Sequence, residues 1–341
     1  RDIDGFVTCA EDLIEGTSIF DEYTPDQLGA VQKPMHTISG DTLHGLAAAT
    51  LKIKTALMDL VAVESHSKAS NIKTYPYIIH YATDPILNRP LGVHPDYIAG
   101  LEMRRFMETT RTTHEQCAAV VVKNKKNALS NDLSCYGARL TVEEVLNSGS
   151  TCSPLTRLES APHVDGAFVF LLASEKMAKK LHKTPIWIKG CSWISDSPTL
   201  ETRSWDACVY AQKSAKQAYR QANITNPKSQ IDLFEIDDTF AYKELQHLEA
   251  IGLYRPGMAG KACERGELHP EGKTPVNVSG GAIGVGSLLE SAGALRVAEI
   301  IKQLRGEAGP RQLKKVRTGL ALSWRGIPTT SGVTMILSSR R

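Results

Sequence analysis

Val276-Asn277-Val278-Ser279-Gly280-Gly281-Ala282-Ile283-Gly284, continued by a small-residue helical run through Leu295, Val297, Ala298, Ile300 and Ile301 and by the apolar stretch Thr318-Gly319-Leu320-Ala321-Leu322, decides the fold, because the chain carries the layout twice. The other copy is Met35-His36-Thr37-Ile38, the turn Ser39-Gly40-Asp41, a helical run of Leu46, Ala47, Ala48, Ala49, Leu51 and Ile53, and the closing strand Leu60-Val61-Ala62-Val63. Each copy, spanning 31–63 and 275–323, reads as strand, Ser-Gly turn, helix, strand. A duplicated strand-turn-helix sets two helix N-termini at matching places. Each offers unpaired N–H donors and a partial positive charge suited to a developing oxyanion. The repeat therefore points to a site between two halves.

Composition narrows the function classes. Of 341 residues 42% are apolar and 23% charged, which excludes disordered and fibrous chains and suits an α/β protein with more than one core. The net charge of +3 is small and dispersed, with no basic stripe interleaved with aromatics, so a nucleic-acid partner is not expected. No apolar run approaches the roughly 20 residues of a membrane span. The seven cysteines form no CxxC pair and leave one over, which fits reduced thiols in a cytoplasmic protein and predicts no metal site. Gly280-Gly281-Ala282-Ile283-Gly284-Val285-Gly286 lacks the GxGxxG order of a dinucleotide loop; its glycines read as places where backbone comes close to a ligand or a facing helix.

Alternating apolar strands and amphipathic helices predict sheets covered on both faces. Ile3-Asp4-Gly5-Phe6-Val7 matches Ile231-Asp232-Leu233-Phe234-Glu235 of the second half, yet the second half has a strand at Ile186-Trp187-Ile188 and a helix near 207–221 before that point. A first strand and helix are therefore expected ahead of Arg1. Residues 71–156 break the rhythm with Tyr75-Pro76-Tyr77, Asp84-Pro85, Arg89-Pro90 and His94-Pro95, a helical run from Asp96 to Thr109, and the basic segment Lys123-Asn124-Lys125-Lys126-Asn127. They read as an inserted lobe of helices and loops. The expected division is an N-terminal half of 1–70 and 157–195, a lobe of 71–156, and a C-terminal half of 196–341, with Asp165–Leu172 a buried strand and 174–181 a helix.

The Asn-x-Ser-Gly-Gly turn at 277–281, Ser291-Ala292-Gly293, Gln303-Leu304-Arg305-Gly306, Asp165-Gly166-Ala167, Glu235–Ala241, and Gly326 followed by Gly332–Leu337 occur in the order found in the thiolase superfamily, and the whole chain resembles it, nearest its lipid-transfer-protein and acetyl-CoA acetyltransferase-like branch. The resemblance implies a thiolase fold: an α/β protein of five α-β-α-β-α layers built from two repeated halves, with an inserted loop lobe that holds coenzyme A. It further implies a homodimer, acyl-CoA thioesters as ligands, and no permanently bound cofactor.

The four catalytic positions of the family are all changed. Counting back without gaps from Ser67-Lys68-Ala69-Ser70, the nucleophile falls on Ser39, a hydroxyl that is protonated at neutral pH unless a base such as His44 or Asp41 assists. Gly-His-Pro becomes Gly286-Ser287-Leu288, the Asn or His of the fourth motif becomes Asp237 beside Asp238, and Cys-x-Gly becomes Trp324-Arg325-Gly326. What is left is a cradle. The backbone at Gly280, Gly281 and Gly326 is expected to donate to an oxyanion, Asp237 is a candidate general base, and Arg325 can neutralise a carboxylate or phosphate. Asp237-Asp238 reads equally as a solvated strand end or a helix cap. For the phosphates of coenzyme A the resemblance implies Lys123, Lys125, Lys126 and Arg139, while the charge run itself reads as a solvated loop, and Tyr75, Tyr77 and Tyr81 are candidates for an acyl tunnel. Two functions fit. One is an acyl-CoA acyltransferase or a carbon–carbon lyase of the retro-aldol type, working, as similar thiolase-like aldolases do, beside an OB-fold zinc-ribbon protein; these also share Gly326-Ile327-Pro328-Thr329-Thr330-Ser331-Gly332. The other is a non-catalytic acyl-CoA-binding subunit of a multienzyme complex, with a hydroxymethylglutaryl-CoA synthase-like protein or a second thiolase subunit as further candidate partners.

Overall fold

The computed structural model describes residues 2–10, 25–72, 74–181, 184–197, 199–328 and 331–341; Arg1, Thr329 and Thr330 lie outside them. The strands are β1 (Gly5–Cys9), β2 (Met35–Ile38), β3 (Leu60–Lys68), β4 (Ser150–Cys152), β5 (Leu155–Thr156), β6 (Asp165–Ala173), β7 (Trp187–Ile194), β8 (Leu233–Ile236), β9 (Thr318–Trp324) and β10 (Gly332–Ser338). The helices used below are α1 (Thr42–Lys54), α2 (Tyr75–His80), α3 (Pro95–Thr110), α4 (His114–Ala128), α5 (Val209–Ala222), α6 (Ala241–Ala250), α7 (Gly281–Val285) and α8 (Ala292–Arg305). No helix among the described residues is long and apolar enough to cross a membrane.

Two four-stranded sheets form, in the orders β2-β1-β3-β6 and β7-β10-β9-β8. The repeat is exact down to its clamps. Asp4 accepts from Asp59 N and Leu60 N (both 2.8 Å), as Asp232 accepts from Arg317 N (2.8 Å) and Thr318 N (3.1 Å), so each half pins the start of one strand with a carboxylate at the start of its neighbour. Phe6 N donates to Pro34 O and Phe234 N to Pro275 O in the same way. On this correspondence β1, β2, β3 and β6 match β8, the Val276 segment, β9 and β10, and β7 has no counterpart in the first sheet among the described residues.

The central helices α1 and α8 pack on each other between the sheets. One apolar core joins Val7, Leu43, Leu46, Val61 and Val63 of the first half to Leu233, Val297, Ile300, Ala321 and Met335 of the second. Helices α5 and α6, with α3 and α4 from the region 71–156, enclose a second core on the far side of β8–β10.

Two local expectations need correction. Val276-Asn277-Val278 is no strand: only Val276 bridges Phe234, because Asn277 sits at φ +50° and its side chain takes over the ladder, accepting from Ile236 N (2.7 Å) and donating to Glu244 (2.7 Å). The basic segment Lys123–Asn127 is no solvated loop either. It forms the last turns of α4, packed on α7, with Lys123 and Lys125 buried.

Candidate functional site

The site grows from the two helix N-termini that the repeat brings together. Asp41 caps α1 by accepting from Leu43 N (2.9 Å), and its other oxygen accepts from Gly293 N (2.6 Å) at the start of α8, so one carboxylate serves both central helices. A Cβ on Gly293 would stand 2.1 Å from Asp41 Oδ1, so only glycine admits this contact. Burial pushes the Asp41 carboxyl up to about 6, against the pull of the Arg296 guanidinium and the two N–H donors.

Ser39 follows β2 and is exposed; Arg325 Nη2 donates to its Oγ (3.2 Å), tying the two turns together. His44, one turn into α1, has an Nδ1 that is buried with no hydrogen-bond partner among the described residues. Burial, then the Arg325 charge, lowers its imidazole to about 4, so it is neutral. Asp237 is neither solvated nor a helix cap. It is fully buried, salt-bridged to Arg296 (2.7 Å), and accepts from Thr239 N (3.0 Å), while Arg296 also donates to Ser323 Oγ (2.8 Å). Both oxygens of this carboxylate are thus committed to partners within the protein. Asp238 beside it holds the start of α7, accepting from Ala282 N (2.6 Å) and Ile283 N (3.2 Å), with Asn124 Nδ2 at 2.8 Å.

Gly280 and Gly281 do not present their amides to a ligand: Gly280 N donates to Asn277 O (3.0 Å) and Gly281 N to Ser279 Oγ (3.1 Å). Their glycines answer to packing instead. A Cβ on Gly280, at φ +103°, would meet Ala128 Cβ at 2.5 Å, and one on Gly281 would meet the Asp238 carboxylate at 2.1 Å. Of the two readings of this run, close approach of a facing helix is the one the structure contains. Gly326, at φ +94°, has open space where a Cβ would go. Trp324 is buried between Phe240 and His247 with Lys243 Nζ 4.3 Å over its ring.

The basic residues expected to meet coenzyme A are scattered. Lys123 has a fully buried ammonium 3.1 Å from Glu244 and donating to Val276 O (2.9 Å), and Lys125 reaches Tyr136 O and Ile283 O, both at 3.2 Å. Neither can turn toward a phosphate without breaking these contacts. Lys126 and Arg139 are exposed.

What the structure does bring together is a cavity of about 390 Å³ between the lobe and the core. Ser287 and Gly326 line it; Ser39, Asp237 and Trp324 do not. From the lobe come Tyr75, His94 and Asp96, from the segment leading into β6 Ser160 and His163, and from the edge of α6 Phe240. Tyr77 and Tyr81 are instead 70% and 67% exposed, so the aromatic tunnel reduces to Tyr75. His163 was not legible as a site residue. It stands edge-on to Tyr75 (4.9 Å between rings), its backbone bridges Ser287, and burial lowers its imidazole while Asp96 works the other way. Ser160 Oγ is buried with no hydrogen-bond partner among the described residues. The one sequence signal for either is position, a Ser-Ala-Pro-His run just before β6, which the sequence marks as a strand but which the structure leaves exposed along one face. None of the seven cysteines lines this cavity.

Comparison with known proteins agrees with this architecture. The family described as "Thiolase C-terminal domain-like" matches residues 195–339. An acetyl-CoA acetyltransferase of Methanothermobacter thermautotrophicus is 31% identical over 292 residues, 84% of this chain and 75% of that protein. Sterol carrier protein 2 of Oryctolagus cuniculus is 32% identical over 246 residues, 70% of this chain but 45% of that longer protein. Among solved structures, one described as "Ltp2-ChsH2(DUF35) aldolase" superposes with a TM-score of 0.82 at 21% identity, over all of this chain and 88% of that one. The chain belongs to the thiolase superfamily, in its lipid-transfer branch.

Proposed function

We propose that the chain binds a CoA thioester and cleaves a carbon–carbon bond of its acyl part by a retro-aldol reaction, with His163 as the base. The supporting observation is the cavity itself: a neutral, partly buried imidazole, a tyrosine ring that orients it and two serine hydroxyls, with no thiol on the wall. A β-hydroxyacyl thioester suits this set. His163 takes the β-hydroxyl proton, the β-carbon becomes a carbonyl as the α–β bond breaks, and the electron pair passes to the α-carbon as a thioester enolate. The imidazolium then returns the proton to the α-carbon, leaving an aldehyde or ketone and a shortened acyl-CoA. Ser160 Oγ and Ser287 are hydroxyl-bearing residues of the cavity able to hold the enolate oxygen. The likeness to a structure described as an aldolase of two named components supports both the reaction and a partner subunit, which on the family resemblance is an OB-fold zinc-ribbon protein; assembly as a homodimer is part of the same proposal.

A second reading, a non-catalytic acyl-CoA-binding subunit, is favoured by the lock on Asp237, whose salt bridge to Arg296 fills the old catalytic corner. One experiment separates the readings. The protein, with and without a zinc-ribbon partner, is incubated with β-hydroxyacyl-CoAs and with a β-ketoacyl-CoA plus CoA. Cleavage of the first, reduced about 100-fold or more by His163→Gln, is expected. Thiolysis of the second would overturn the lyase, and binding of CoA esters without turnover under either condition would establish the scaffold.

A further inference from the structure

At the opposite ends of the strands lies a second concavity of about 710 Å³ that the site does not use. Asp232 and Lys315 precede β8 and β9, whereas Thr239 and Gly326 of the His163 cavity follow them, so the two cavities lie at opposite ends of the second sheet. Lys126, Lys228, Lys273, Arg311, Lys314 and Lys315 line the cleft against two carboxylates, Asp232 and Glu271. Asp232 is spent on the backbone amides of Arg317 and Thr318. Arg311 is fixed by Glu299 (2.8 Å), while Lys126, Lys273, Lys314 and Lys315 have no ion pair among the described residues.

The internal repeat supplies a control for whether the fold needs this charge. Anchoring Phe6 on Phe234 and Leu60 on Thr318, the first half carries Gln32, Ala56 and Leu57 where the second carries Lys273, Lys314 and Lys315. The architecture tolerates neutral residues there, so the lysines are an addition to one half. With six basic side chains against two carboxylates the cleft is net positive and concentrates anions, and its volume is that of a small-molecule site rather than a flat docking face. Pro270, Pro275 and Leu313 add an apolar wall able to take a ring.

We propose that this cleft binds a phosphorylated nucleoside, with Lys273, Lys314 and Lys315 on the phosphates and the base against the prolines. Free nucleotide and the nucleotide end of coenzyme A share this chemistry. The test is calorimetric titration of the full chain with ADP, ATP and CoA at low and physiological salt, on the native sequence and on Lys273→Gln/Lys314→Ala/Lys315→Leu, the residues the first half uses. Expected are micromolar binding that weakens with salt and at least a tenfold loss in the variant, whose circular dichroism and unfolding midpoint stay native-like. Displacement of bound ADP by CoA would assign the coenzyme as the source, and displacement by ATP alone a free nucleotide. Absence of binding, binding unaltered in the variant, or a preference for polyglutamate over ADP would overturn the assignment. Because the cavity at His163 is untouched, turnover of acyl-CoA in the variant reports separately on the lyase reading.

Discussion

At Asp41 one carboxylate substitutes for what two separate caps would otherwise do, and the glycine opposite it makes that possible. Gly293→Ala would place a methyl 2.1 Å from Asp41 Oδ1, 2.4 Å from Leu43 Cδ1 and 2.7 Å from Ser323 Oγ, in a region where every neighbour is buried. Relief requires moving a central helix, so a loss of about 3 kcal/mol in urea unfolding is expected; a change within about 0.5 kcal/mol would mean that the two helices are not held against each other. His247 gives a second prediction at this scale. Its Nδ1 lies 3.0 Å from the Asp237 carbonyl oxygen, which can only accept, so Nδ1 carries the proton and Nε2 accepts from the Tyr210 hydroxyl (2.8 Å). Burial, with the Lys243 charge, lowers this imidazole to about 4. A histidine whose folded pKa lies below its unfolded value gives stability that is complete above about pH 6.5 and is lost as pH falls toward 4. The full swing is at most about 3 kcal/mol. Urea midpoints measured from pH 7.5 to 4.5 should fall more steeply for the native chain than for His247→Gln, and parallel curves would refute the assignment.

Helix α4 shows at the scale of an element what the sequence conceals. Lys123, Lys125 and Lys126 look alike in a basic run, and the rotation of the helix decides their fates. Lys123 faces Glu244 of α6, Lys125 donates to the Ile283 carbonyl of α7 and to Tyr136 O, and Lys126 meets solvent. Charge density in the sequence signalled a solvated loop because lysine is rarely interior, and the helix here carries its own acidic and amide partners from residues more than 100 positions away. Lys123→Ala leaves Glu244 with only the amides of Asn124 and Asn277, so a loss of about 3–5 kcal/mol is expected. Lys126→Ala should alter stability by less than about 0.5 kcal/mol. Equal effects from the two substitutions, measured by urea unfolding, would contradict the placement of α4. The duplicated strand-turn-helix, by contrast, was readable, since α1, α8, β3 and β9 carry their periodicities locally. The cavity was not, because its wall is assembled from Tyr75, His163, Phe240, Ser287 and Gly326, which no local pattern groups.

Over the whole molecule the two halves differ most at one sheet edge. In the second half β10 is paired on both sides, with β9 and antiparallel with β7, and α5 packs across β7 and β10. Its counterpart β6 pairs with β3 alone among the described residues, and on the face that α5 covers in the other half Val169 and Leu171 are 64% and 61% exposed. An apolar groove of about 770 Å³, lined by Leu171, Ile186 and Trp187 among others, runs alongside. A nine-residue strand whose outer edge is unpaired among the described residues, and whose exposed face is apolar, is a template for pairing with another chain, and nature usually blunts such edges with charge. Here Phe168 to Leu172 carries none. The 341-residue chain is therefore expected to self-associate through β6 as its concentration rises. Val169→Lys with Leu171→Lys puts two charges on the exposed face without touching Phe168, Phe170 or Leu172, whose side chains turn the other way along the alternating strand. In sedimentation velocity the variant should stay at the monomer coefficient over a concentration range in which the native chain shifts upward, with its circular dichroism unchanged. If both chains sediment alike and both associate, the contact lies elsewhere; if both remain monomeric, the open edge of β6 is harmless as it stands.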